Sequence, residues 1–166
     1  SCPNPVGQLA RSGISATITL LPMTNTCTLS SAASMVVNLP TVALSAFGAV
    51  GSTAGVTGFS IGVNCPTAGV AGLSVTLMYG TSFTASVAMA APSYLINLAA
   101  SSAPGINAVI LDSSGVAVSS GVSRSVTSSV SAGYNGITFY AAYQRTAAAI
   151  GTGNVQGVAT YVFTYQ

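Results

Sequence analysis

Apolar and small polar residues alternate with a period of two along most of this chain, which confines it to half-buried β-strands. In a strand successive side chains point to opposite faces, so every second residue meets the core. The end of the chain is the clearest case. There Gly153, Val155, Gly157, Ala159, Tyr161, Phe163 and Tyr165 form one face. Asn154, Gln156, Thr160, Thr164 and Gln166 form the other, with Val158 and Val162 among them. Just before, Ile137, Phe139, Ala141 and Tyr143 alternate with Thr138, Tyr140, Ala142 and Gln144. Shorter runs are Met35-Val37-Leu39, stopped by Pro40, then Phe59-Ile61-Val63-Cys65, stopped by Pro66, and Leu73-Val75-Leu77-Tyr79, stopped by Gly80.

Segments 94–98, 108–111 and 125–130 are read as further strands. Asp112-Ser113-Ser114-Gly115 supplies turn chemistry after the second of them. No helix-period pattern of useful length is present, and the Ala-rich 85–91 stretch is the place for a short turn of helix. The expected fold is all-β, one immunoglobulin-like β-sandwich, with no boundary between residues 27 and 166 and no internal repeat.

Charge narrows the function classes. Of 166 residues only Arg11, Asp112, Arg124 and Arg145 carry side-chain charge, for a net +2. That gives no basic patch for nucleic acid, and little self-repulsion to keep copies apart. The chain contains no His, and its one carboxylate side chain, Asp112, sits in a turn signature. Paired-carboxylate catalysis and any Ser-His-Asp arrangement are therefore excluded within one chain. The Gly-rich run 48–55 has no Lys to hold a phosphate and reads as a loop. No catalytic residue, cofactor or metal is expected. No stretch approaches the ~18 uninterrupted apolar residues of a membrane-spanning helix.

Cysteines stand at positions 2, 27 and 65. They are either three buried thiols or one disulfide and a spare in an exported protein, whose numbering is then expected to begin after signal cleavage. Residues 1–26 stand apart from the remainder. After a loop-like Ser1-Cys2-Pro3-Asn4-Pro5, Ile14, Ala16, Ile18 and Leu20 alternate with Ser15, Thr17 and Thr19. That edge is either the first strand of the sandwich or a strand meant for another molecule.

Several of these features together resemble the classical chaperone–usher pilins of type 1-like fimbriae, over about residues 14–166. One is Cys27-Thr28-Leu29 followed by the Val36–Leu39 strand and Pro40; another is Phe59-Ser60-Ile61-Gly62-Val63-Asn64-Cys65-Pro66. A third is Ala108-Val109-Ile110-Leu111-Asp112 with Gly115. The most specific is the C-terminus, where a Gly fourteen places from the end and a penultimate aromatic are matched by Gly153 and Tyr165.

The resemblance implies a Cys27–Cys65 disulfide and a sandwich lacking its final strand, completed by a donor strand from a neighbouring subunit. It implies an N-terminal extension, 1–26, ahead of a pilin domain, 27–166. Ile14, Ala16, Ile18 and Leu20 then form the donor strand, although the Gly that donors often carry is missing where Leu20 stands. Gly153, Val155, Ala159, Tyr161, Phe163, Tyr165 and Gln166 form the groove and the last strand that faces a chaperone. The implied partners are identical or related pilin subunits, with a periplasmic chaperone and an outer-membrane usher during assembly. The implied setting is a fimbrium on a Gram-negative surface, reached through the periplasm. The alternative within the same resemblance is the pilin domain of a tip adhesin or a minor adaptor pilin that binds a receptor. Cys2 is then a free thiol, half of an intersubunit disulfide, or the remnant of a preceding domain.

Overall fold

The computed structural model describes the backbone of residues 12–18 and the whole of residues 27–30, 34–69, 71–79, 95 and 97–165. Among the described residues nine strands carry the fold. They are β1 (Ser12–Ile18), β2 (Thr28–Leu29), β3 (Ser34–Leu39), β4 (Thr53–Cys65), β5 (Leu73–Met78), β6 (Ile106–Leu111), β7 (Ser123–Thr127), β8 (Gly133–Arg145) and β9 (Gly157–Tyr165). One sheet has five strands in the order β3-β1-β9-β5-β7, the other four in the order β2-β4-β8-β6. The two sheets face each other across one apolar core, the immunoglobulin-like sandwich that the alternation predicts.

The period-two pattern does the work expected of it. In β8 Phe139, Ala141 and Tyr143 are fully buried, and in β9 Ala159, Tyr161 and Phe163 are buried with them. Ile61 and Val63 of β4, Val75 and Leu77 of β5 and Ile110 of β6 complete the centre. Each large apolar side chain removed from water contributes roughly 1.5–3 kcal/mol, so a row of this kind outweighs weak local propensities. The 13-residue strands β4 and β8 pair antiparallel along most of their length and form the backbone of the four-stranded sheet. Cys27, just before β2, is disulfide-bonded to Cys65 at the end of β4.

Several strand bounds differ from the sequence expectation. β4 starts at Thr53 rather than at Phe59, because a register slip between Ala54 and Thr57 lets the strand run on past Gly55 and Gly58. β8 starts at Gly133. β9 starts at Gly157, not Gly153, since Asn154 and Gln156 bond to the 97–103 loop instead of to a neighbouring strand. Segment 94–98 forms no strand among its described residues; only Leu95 bridges, to Ala108. β7 ends at Thr127 because the Thr127 hydroxyl and the Ser129 backbone form a local turn. A single 3-10 turn at Leu44–Ala46 has no sequence signal of its own. The 85–91 stretch lies outside the described residues.

The turn after β6 is as read. Gly115 takes φ +76°, and Asp112 Oδ1 accepts from the N–H groups of Ser114 and Val116 at 2.9 and 3.0 Å. Asp112 Oδ2 lies 3.6 Å from Arg124. Arg145 ties down the opposite end, donating to the carbonyls of Gly48, Ala147 and Ala148.

Candidate functional site

The site of interest is the seam in the five-stranded sheet where β1 lies between β3 and β9. β1 runs antiparallel to β3, with Ser12 opposite Leu39 and Thr17 opposite Ser34. It runs parallel to β9, from Ile14 opposite Gly157 to Ile18 opposite Tyr161. The place a strand beside β9 must take is thus filled by the same chain, where the sequence reading leaves it open for a neighbour. The physical reason is local. Without β1, the edges of β3 and β9 lose their backbone partners beside Val37, Leu39, Ala159 and Tyr161, which are all buried. In a single chain, residues 12–18 are the strand-forming segment that closes the gap.

The predicted site residues fall as follows. Ile14, Ala16 and Ile18 all lie in β1 and stand at the register of Gly157, Ala159 and Tyr161. Leu20 and Gln166 lie outside the described residues, as does Cys2. Val155, Ala159, Tyr161 and Phe163 line the core side next to the seam. Tyr161 and Phe163 meet edge to face at 5.8 Å.

Gly153 is not part of this seam. A Cβ on Gly153 would fall 2.6 Å from the Ala103 N and 2.8 Å from the Ser101 O, so its small size serves the close approach of two loops. Gly157 is the glycine of the seam: a Cβ there would lie 2.8 Å from the Leu95 Cβ. The sequence reading placed Gly157 on the inner face without singling it out, and its neighbour Ala159 marks the same small-residue stretch.

Tyr165, on the last turn of the ladder, pairs with Leu73, and its hydroxyl lies 3.9 Å from the Cys65 Sγ. Burial pushes its phenol above the usual tyrosine range. The penultimate aromatic therefore rests against the disulfide that fixes the start of β2 to β4. Two asparagines that sequence reasoning missed hold the ends of the sandwich. Asn97 donates to the Asn154 carbonyl at 2.8 Å and accepts from the Gln156 N–H at 3.0 Å, which sets the entry into β9. Buried Asn135 accepts from the Ser131 N–H and donates to the Ser131 and Gly133 carbonyls. Nothing in the sequence separates these two from loop asparagines.

The geometry defines a two-sheet immunoglobulin-like β-sandwich in which a strand from ahead of the disulfide sits between β3 and β9. The chain belongs to the fimbrial protein family, whose pattern it matches over residues 13–166. It is similar to an antigen and type I fimbria protein of Burkholderia pseudomallei, at 27% identity and a TM-score of 0.51, covering 97% of each chain. Its fold is also similar to that of a tip adhesin of Pseudomonas aeruginosa, at 15% identity and a TM-score of 0.52 over 72% of this chain and 36% of that one. No curated protein matches it in sequence. The chain is a pilus protein of the bacterial surface, structural rather than enzymatic, and it assembles with other pilin subunits. Among the described residues no helix is long and apolar enough to cross a membrane.

Proposed function

We propose that this chain is a structural subunit of a chaperone–usher pilus that polymerises by donor-strand exchange. Residues 1–26 are the extension that carries the donor strand, and residues 27–166 are the pilin domain. One observation supports this reading: β1 lies inside the five-stranded sheet, held by backbone pairing to β3 and β9, while its covalent link to β2 runs through residues 19–26. Such a strand leaves one seam and enters the equivalent seam of a neighbour with its backbone pairing conserved, which is β-augmentation between copies. In the resting chain β1 protects its own seam. In the fibre, the neighbour's β1 replaces it.

A periplasmic chaperone holds the seam during export and an outer-membrane usher directs the exchange, so the fimbrium forms on a Gram-negative surface. The reading as a tip adhesin's pilin domain gives β1 no role, because such a domain follows a receptor-binding domain and donates nothing. Deletion of residues 1–20 separates the two. Electron microscopy of cells that supply the chaperone and usher should show filaments from the full chain and none from the deletion, while chaperone binding survives. Filaments from the deleted chain would overturn the donor assignment.

A further inference from the structure

Away from the seam, the solvent face of the four-stranded sheet carries a notch whose chemistry strand exchange does not use. Two irregularities meet there. In β4 the register against β8 slips between Ala54 and Thr57, with Gly55 at φ +68°, and the bulge leaves Val56 54% exposed. Bulges of this kind re-aim side chains and cluster near binding sites. At the end of β6 the chain turns sharply through Asp112 to Val116. Between them lies a cavity of about 310 Å³, lined by Thr53 at the start of β4 and Val56 of its bulge, Asp112 and Ser113 of the turn, and Leu111 and Tyr140 of the sheet. That is the low end of the roughly 300–1,000 Å³ of small-molecule sites, so the notch suits a compact ligand.

The Asp112 turn and the floor of the notch are tied down by contacts within the chain. Two backbone N–H groups hold Asp112 Oδ1, and the Gly115 N–H donates to the Asp112 carbonyl at 2.9 Å. Leu111 and Tyr140 belong to a small apolar cluster with Val109, Ala117 and Ala142. The Tyr140 ring sits over Gly58, where a Cβ would come within 3.3 Å of it. The bare neighbour gives the ring its place on the sheet.

The lining selects a chemical class. It offers the hydroxyls of Thr53, Ser113 and Tyr140, one carboxylate, and an apolar floor. The lining holds no cation, and Arg124 beside it faces Asp112 at 3.6 Å. An anionic ligand therefore gains no charge-assisted hydrogen bond, and a cationic one competes with Arg124. An uncharged ring that is apolar on one side and studded with hydroxyls on its rim fits both parts of the lining. We propose that this notch binds an uncharged pyranose, with its C–H face on Tyr140 and its hydroxyls bonded to Thr53, Ser113 and Asp112.

The test is an amide-shift titration of the isotope-labelled full chain with the methyl glycosides of glucose, galactose and mannose, and with a hexose phosphate as the charged counterpart. At least one neutral glycoside should move the amides of Thr53, Val56, Ser113 and Tyr140 saturably. Tyr140→Ala should weaken binding about tenfold and Tyr140→Phe far less, since the ring supplies the contact area. Ser113→Ala, on an exposed turn, serves if the Tyr140 variant fails to fold. Absence of a saturable shift with all three glycosides would overturn the proposal. So would tighter binding of the hexose phosphate, or binding undiminished in both Tyr140→Ala and Ser113→Ala. The titration uses the single folded chain and is independent of whether filaments form.

Discussion

Removing β1 should destabilise the chain severely, and the loss should be recoverable from outside. Five residues of β9, Gly157 to Tyr161, face β1 across a parallel ladder. With about one backbone bond per pair and roughly 0.5–1.5 kcal/mol net for each, the ladder is worth about 2.5–7.5 kcal/mol. The antiparallel ladder to β3 and the water admitted beside Val37 and Leu39 add to the deficit. Whole domains are stable by only about 5–15 kcal/mol. For a domain of this size each kcal/mol moves the midpoint by about 2–4 °C, so deletion of residues 1–20 should lower Tm by at least about 5–30 °C.

The assay is thermal unfolding followed by near-ultraviolet circular dichroism, which reports the buried tyrosines. A synthetic peptide of residues 11–20 should raise Tm of the deleted chain in a concentration-dependent way, as ligand linkage requires. A deleted chain melting cooperatively within about 2 °C of the full one, with no response to peptide, would refute the reasoning.

Three further outcomes follow from the same sandwich. Replacing both Cys27 and Cys65 by Ala removes a closed loop of 39 residues counted inclusively from a sequence separation of 38; the expected loss is about 4 kcal/mol, measurable by urea titration. Asn135→Ala removes three hydrogen bonds to the Ser131 N–H and the Ser131 and Gly133 carbonyls, and should cost about 1.5–4.5 kcal/mol by the same measurement. Burial pushes the Tyr79 phenol up to about 12, against the pull of Arg124. A tyrosine kept neutral by folding releases its proton earlier when unfolded, so stability should be unaffected below about pH 10 and fall by up to about 2 kcal/mol between pH 10 and 12. Tyr79→Phe should abolish most of that fall.

The sandwich was legible because its inner faces follow a strict period of two. Ile137 to Tyr143 and Val155 to Phe163 lie on the core side as read, since burial of every second side chain leaves the register no freedom. The Asp112–Gly115 turn was legible for a different reason, being a local matter of one carboxylate and one left-handed glycine. What failed was non-local. Gly153 looked like the first residue of the last strand because alternation does not report that residues 101–103 approach its backbone. The extent of β4 was hidden by a bulge, which breaks the very pattern being read. For β1, the alternation of Ile14, Ala16 and Ile18 announces a strand and is silent on whose sheet it joins, because cis and trans pairing use the same residues.

The disulfide gives the seam a kinetic character. Cys27 is locked to the end of β4, and only eight residues, 19–26, separate that fixed point from Ile18. A β1 that peels away stays on a leash of at most about 30 Å. Its effective concentration at its own seam is then roughly millimolar. A free copy at micromolar concentration loses that contest about a thousandfold by mass action alone. Dilute subunits should therefore remain solitary in solution, and under the proposed exchange fibre growth should require a catalyst that keeps the leash from snapping back.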